Sequence, residues 1–187
     1  MEENKDTLSR GESLKMDLYF WAQAFVTALV GIILVFVFIG PVTGVDGSSM
    51  FPTLHHNDML YLQRIGYTPK QGDVVVLHKD FNHVNVPIVK RVIATGGQTV
   101  DIDYAAGTVT VDGQVLDEPY IKEAMRDLGS SYLSHAQVPE GSIFVMGDNR
   151  NASSDSRNAD LSTIDTRYVL GKALFILLPF QHIGAIH

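Results

Sequence analysis

The sequence predicts a mainly β protein: one N-terminal transmembrane helix, then an all-β extracytoplasmic domain of antiparallel sheets. Three observations predict it. Residues 18–40 carry no charged side chain. Beyond residue 41 the chain falls into short runs rich in Val, Ile and Thr, punctuated by Gly and Pro. No long stretch there shows the apolar spacing of an amphipathic helix. Short strands separated by turns pack as sheets that close toward a barrel-like form, so helix outside the membrane should be scarce.

The first element is the apolar run. Only Gln23 and Thr27 within residues 18–40 are clearly polar. As a helix the run reaches about 35 Å at ~1.5 Å per residue, enough for a hydrocarbon core of ~30 Å. A cleaved leader would have a shorter apolar core followed by small residues in an Ala-x-Ala-like arrangement. Here Phe38-Ile-Gly-Pro41 closes the run and no such site follows, which predicts an uncleaved anchor. Lys5, Arg10 and Lys15 precede it, and the first basic residue after it is Arg64. The positive-inside tendency then places residues 1–17 in the cytoplasm as a tail, 18–40 in the bilayer, and 41–187 outside.

Composition narrows the function classes. With no cysteine, thiol catalysis and cysteine-based metal sites are excluded, and an exported domain must rely on its core rather than on disulfides. A net charge of −7 argues against nucleic acid as a partner. No His-x-x-x-His pattern or Glu-bearing helix marks a metal site, and no cofactor motif is present.

Strands are expected at 59–64, 74–78 and 86–93, the last broken by Gly96-Gly97. Residues 99–103 and 108–111 alternate with period two, and Asp112-Gly113 supplies a hairpin turn into 114–116. Residues 121–137 are the least patterned and are expected to hold a short helix or an insertion. Strand character returns at 143–146 and at 169–178, before Pro179. Pro87 lacks an amide hydrogen, which predicts a sheet edge for the third strand. Such an edge can accept an extended peptide by strand addition.

Three clusters carry chemistry. Ser49 lies in Gly47-Ser-Ser-Met-Phe-Pro-Thr-Leu54, just beyond the apolar run. A serine needs a base to become a nucleophile, and lysine can supply one if its surroundings strip its proton. Lys90 sits beside Arg91 in the third strand, where alternation turns one inward and the other outward. Arginine stays charged almost everywhere, whereas burial lowers a lysine pKa. An inward Lys90 is therefore the candidate general base. The third cluster, Gly147-Asp-Asn-Arg-Asn-Ala-Ser-Ser-Asp-Ser-Arg157, is a dense polar loop directly after a hydrophobic strand, suited to a hydrogen-bonded scaffold.

In this order, with Gly72-Asp-Val-Val-Val76 between the first and second clusters, the motifs resemble type I signal peptidases, the membrane-anchored Ser/Lys endopeptidases of bacteria. The likeness covers the anchor and nearly all of the exported part. It implies a signal-peptidase-like fold, with Ser49 as nucleophile, Lys90 as general base and Ser153 as the hydroxyl that helps orient it. Asp155 with Arg157, and Asp148 with Arg91, match charged residues that hold the site together. The implied substrates are the signal peptides of secreted preproteins, with small residues at −1 and −3. The implied setting is the outer surface of the bacterial cell membrane, in contact with the lipid bilayer and near the Sec translocation machinery. Val45, Met50, Leu54 and Val89 neighbour the matched positions in sequence and are the candidates for shallow substrate pockets.

The chain departs from the family pattern twice. Many members carry a serine where this chain has Gly47, so the oxyanion must rely on backbone amides in the Gly47 region, chiefly that of Ser49. Small Gram-positive-type members share that glycine. Asn151-Ala152 replaces the family's frequent Asp-Asn, which is expected to loosen the loop. Asn151-Ala-Ser153 is formally a glycosylation sequon, but the endoplasmic-reticulum relatives use histidine in place of Lys90. Two rivals remain open on sequence. One is a Ser/His hydrolase using His55, His56, His78 or His83, and the other a tethered peptide-binding protein without catalysis.

Overall fold

The computed structural model describes residues 10–38, 41–78, 86–126, 129 and 132–187. His83 and most of the N-terminal tail lie outside the described residues. The chain divides into two compact units, Met1–Gly40 and Pro41–His187.

The first unit is one helix, α1 (Arg10–Phe38). Its segment Leu14–Ile33 is long and apolar enough to cross a membrane, and none of it is buried within the protein. The helix begins eight residues before the uncharged run. Leu14, Lys15 and Met16 are good helix formers whether or not they are apolar, so the limit of hydrophobicity is not the limit of the helix.

The second unit is antiparallel β. Its strands are β1 (Val42–Gly44), β2 (Met59–Gln63), β3 (Val74–Leu77), β4 (Ile88–Thr95), β5 (Thr99–Asp103) and β6 (Thr108–Val111), followed by β7 (Gln114–Val115), β8 (His135–Gln137), β9 (Ser142–Met146), β10 (Ile164–Asp165), β11 (Val169–Leu178) and β12 (Gly184–Ala185). The larger sheet runs β1-β2-β11-β3-β4-β9-β10, with β12 alongside β11, and the smaller runs β7-β6-β5-β8. The only helix among the described residues of this unit is in single 3-10 turns. The antiparallel sheets match the expected fold class, and among the described residues the larger one does not close on itself. β1 and β10 end an open strand path.

Local sequence sets these elements. Asp112 and Gly113 both have positive φ, 49° and 79°, the conformation a two-residue hairpin between right-twisted strands requires. Residues 121–126 form no regular element, and β8 pairs with β5 instead of forming a helix.

Two expectations about the third strand need correction. First, β4 is not an edge strand, since it lies between β3 and β9. Pro87 precedes Ile88 and so removes no ladder bond. Pairing with β9 begins only at Arg91, however, so Ile88, Val89 and Lys90 are paired on the β3 side alone. Second, Lys90 and Arg91 are both buried, at 4% and 1% exposure. The sheet is covered on both faces here. Val74 and Val76 of β3 pack in one apolar cluster and Val75 and Leu77 in another. Successive side chains therefore point to opposite faces without either reaching water.

Candidate active site

Ser49 opens a turn just after Gly47, which has φ of 94°, a value only glycine adopts without strain. Phe51 N–H donates to Ser48 O at 3.1 Å and Leu54 N–H to Met50 O at 2.9 Å. Met50 and Leu54 are fully buried beneath this turn and anchor it to the core. The far side is held by Asn149, whose backbone N–H donates to Ser49 O at 3.0 Å and whose Nδ2 donates to Ser48 O at 3.1 Å. Two chain segments a hundred residues apart thus fix the backbone on either side of the hydroxyl.

Lys90 reaches this turn from β4. Its Nζ lies 2.7 Å from Ser49 Oγ and 3.0 Å from Val89 O. Burial pushes the Lys90 pKa from 10.5 down to about 8. Asp155 and Asp148 pull it back upward, and Arg157 adds to the lowering. Desolvation wins because it acts on the ammonium directly, whereas each carboxylate is already paired with an arginine.

Those pairs are bidentate. Arg91 Nε and Nη2 donate to Asp148 Oδ1 and Oδ2 at 2.9 and 2.8 Å, while Nη1 donates to Gly72 O at 2.8 Å. The Arg91 guanidinium also stacks 4.0 Å from the Tyr120 ring. Arg157 Nε and Nη2 donate to Asp155 Oδ1 and Oδ2 at 2.8 and 2.9 Å. Asp155 Oδ2 accepts from Gly147 N–H at 3.0 Å, so this pair shapes the loop beside Ser49. Asp148, Asp155 and Arg157 are fully buried.

Ser153 stands apart from this network. It is buried beside Gly147, but its Oγ has no hydrogen-bond partner among the described residues, Lys90 included. The Ser49 amide, the candidate oxyanion donor, likewise engages no acceptor among them.

A cavity of about 220 Å³ opens at the dyad, lined by Val45, Met50, Val89, Ser49 and Lys90 together with Asp46, Pro87, Ile88 and Ser154. Three of the four pocket candidates line it. Leu54 does not. It is fully buried in the apolar cluster below.

Several residues of the site carry no role in the sequence reading. Gly147 is the clearest. A Cβ there would collide with Ser153 Oγ and lie 2.5 Å from Ser49 O. Thr53 Oγ1 donates to Asp148 Oδ2 at 2.5 Å, linking the Ser49 turn to the ion pair. Arg150 is fully buried and pairs with Glu118 at 2.9 and 2.5 Å. The order of the Gly147-Asp-Asn-Arg150 motif was a signal for Gly147 and Arg150, but nothing in the sequence pointed to Glu118. Asn151, expected to loosen the loop, bonds to the neighbouring segment 124–126. Its amide accepts from Arg126 N–H at 2.9 Å and donates to Ala124 O at 3.0 Å.

The described histidines stand elsewhere. The ring of His55 meets Phe51 edge-on and lies 4.4 Å from that of His182. His56 Nδ1 accepts from Gly47 N–H at 3.2 Å. Among the described residues no histidine hydrogen-bonds Ser49 Oγ. His78 follows β3, with its amide bonded to Tyr168 O.

A lysine amine within hydrogen-bond distance of a serine hydroxyl, in a β scaffold with an adjoining cleft, is the geometry of a serine–lysine hydrolase. The sequence profile of the family described as signal peptidase, peptidase S26, matches residues 18–178. The chain belongs to this family. It is 35% identical over 186 residues to signal peptidase I of Bacillus licheniformis, covering 95% of this chain and 97% of that one. It is also 35% identical to signal peptidase I S of Bacillus subtilis strain 168, covering 92% and 96%. A solved signal peptidase I from Enterococcus faecalis V583 is 27% identical with a TM-score of 0.45, covering 57% of this chain and 97% of that one.

Proposed function

We propose that this protein is a type I signal peptidase, a serine endopeptidase that removes signal peptides from preproteins with Ser49 as nucleophile and Lys90 as general base. The observation that carries the reading is the 2.7 Å approach of Lys90 Nζ to Ser49 Oγ. In the neutral form Nζ accepts the Ser49 hydroxyl proton as Oγ attacks the scissile carbonyl carbon. The tetrahedral oxygen gains negative charge and takes a hydrogen bond from the Ser49 N–H. The Lys90 ammonium then gives its proton to the departing amine nitrogen, the C–N bond breaks, and a Ser49 acyl ester remains. Water, deprotonated by the again neutral Lys90, hydrolyses that ester.

The remaining roles follow. Ser153 orients Lys90 once its hydroxyl turns toward Nζ, and the Arg91–Asp148 and Arg157–Asp155 pairs hold the loops. The cavity beside Val45, Met50 and Val89 takes a small side chain such as alanine by excluding bulk. The substrate lies extended along Ile88, Val89 and Lys90, whose β9 side is unpaired.

The helix is a single-pass anchor in a bacterial membrane, with residues 1–17 cytoplasmic, 18–40 spanning and 41–187 outside, near the Sec machinery that delivers preproteins. The basic residues before the uncharged run, Lys5, Arg10 and Lys15, support this orientation. Phe175, Phe180 and Ile183, exposed at one end of β11 and just beyond it, suit contact with the bilayer surface. The test is to incubate the purified full-length protein with a preprotein and map the cut by mass spectrometry. One cut after a small residue, absent in Ser49→Ala, is expected. Binding without cleavage would leave a tethered peptide-binding protein, and cleavage by Ser49→Ala would overturn the nucleophile.

A further inference from the structure

Asp58 is fully buried and no lysine or arginine pairs with it among the described residues. Its carboxylate accepts from His55 N–H at 2.8 Å through Oδ2 and lies 2.6 Å from His182 Nδ1 through Oδ1. His55 Nδ1 is 4.0 Å from Oδ2. A buried carboxylate with no lysine or arginine beside it is costly.

One ligand atom from each of His55, Asp58 and His182 lies within 4.8 Å of the other two. Tetrahedral zinc, with bonds of ~2.0–2.2 Å, sets its ligand atoms roughly 3.5 Å apart. Closing that gap needs about 1 Å of movement. The imidazoles have the freedom for it, since their side chains are 43% and 33% exposed. Asp58 does not need to move. Its backbone is pinned by Val45 N–H donating to Asp58 O at 2.8 Å and by Asp58 N–H donating to His55 O at 3.1 Å. His182 closes a single 3-10 turn, Phe180–His182, through its own N–H to Pro179 O at 2.9 Å. Two nitrogens and one carboxylate oxygen favour a borderline divalent ion over magnesium or calcium, which prefer oxygen alone.

We propose that His55, Asp58 and His182 bind one divalent transition-metal ion of the zinc class, clamping the turn at residues 180–182 onto the turn that begins at Ser49. The two histidines come from opposite ends of the exported unit, which is why no local spacing in the sequence marks them. His55 also packs on Phe51, two residues after Ser49, so the ion would stiffen the support of the nucleophile without touching it. Its fourth position faces solvent between the half-exposed rings and takes water, which makes the ion exchangeable.

The test uses the full-length chain in detergent, without a polyhistidine tag and stripped of metal by chelator. Zinc is titrated by calorimetry, cobalt(II) by visible absorption, and magnesium serves as comparison. One saturable equivalent of zinc is expected, with cobalt bands of low coordination number and an unfolding temperature that rises with zinc. His55→Ala and His182→Ala should each weaken binding by about 100-fold or more, while the exposed His135→Ala leaves it unchanged. His182→Gln, which keeps a donor for Asp58, checks that any loss is not misfolding, with circular dichroism as the readout of fold. Absence of saturable binding, full affinity in His182→Ala or His182→Gln, or equal loss in His135→Ala overturns the site. None of these readouts depends on peptide cleavage, so the clamp and the peptidase reading fail separately.

Discussion

Replacing Lys90 with methionine keeps a side chain of similar length and removes the titrating amine, so it isolates what the buried lysine does to both activity and stability. In the folded protein the Lys90 pKa is about 8 rather than 10.5. That difference corresponds to about 3 kcal/mol at ~1.4 kcal/mol per unit. Between these values the unfolded chain holds the proton and the folded chain has released it, so folding becomes more favourable as pH rises. The lysine's contribution is therefore fully present above about 10.5 and is lost as pH falls through about 8. Urea unfolding of the full-length protein below, within and above this window should show the wild type gaining up to about 3 kcal/mol relative to Lys90→Met. Taking the difference between the two proteins removes the tyrosines and other lysines that titrate in the same range. The activity limb follows from the same number. kcat/KM on a preprotein should rise about tenfold per pH unit below the inflection and level off above it, with about a tenth of the plateau rate at pH 7. Equal pH slopes of stability in the two proteins would refute a depressed Lys90. An inflection near ~6.5 that disappears in His55→Ala or His56→Ala would refute lysine as the base.

Ser49→Ala and Lys90→Ala should each lower kcat by about 10⁴-fold or more, and the double variant should be no worse than either, because the two act as one unit. Single-turnover cleavage of a preprotein reads this, and additive losses would separate the pair. Gly147→Ala should cost about 1–3 kcal/mol and most of the activity, since its methyl group meets Ser153 Oγ and Ser49 O. Normal stability with normal cleavage would mean that the loop yields freely. Asp155→Asn should cost about 3–5 kcal/mol by leaving Arg157 buried without its counter-charge, measured as a loss in urea midpoint. Removing residues 1–40 should leave a folded unit that cleaves short peptides better than it cleaves membrane-presented preproteins, because the anchor no longer raises local concentration. Loss of the β circular dichroism signal on truncation would show that the helix belongs to the core.

Much of the fold was legible because its strongest signals are local. Residues 99–103 and 108–111 alternate, and Asp112-Gly113 turns them, so β5 and β6 appear at the expected bounds. β1, β8, β10 and β12 were not legible. They are two or three residues long and become strands only when a neighbour supplies the ladder, which no window of sequence displays. The site divides in the same way. Ser49, Lys90 and the polar loop, which lie together in the fold, were legible as candidates from residue type and order. The distribution of their contacts was not. Pro87 was read as a strand residue because the apolar run continues through it, whereas chain pairing starts at Ile88. Leu54 was read as a pocket residue by proximity in sequence, but the turn directs it into the core. Glu118 and His182 were invisible, since each meets its partner across at least 30 residues of chain.

Two arginine–carboxylate pairs, Arg91–Asp148 and Arg157–Asp155, bring their charges to bear on Lys90, the base proposed above. Buried ion pairs contribute little net stability, because desolvation cancels most of their attraction. Their value here lies in position and in charge balance. Asp148 and Asp155 would, if unpaired, pull the Lys90 pKa further upward, since each raises it even when paired. Each guanidinium is fixed by two parallel hydrogen bonds, so the compensating charge cannot swing away from its carboxylate. A lysine in place of Arg157 would keep the net charge but lose the fork. Arg157→Lys should therefore shift the activity inflection toward higher pH while the fold survives, and an inflection unchanged from the wild type would mean that desolvation alone keeps Lys90 neutral.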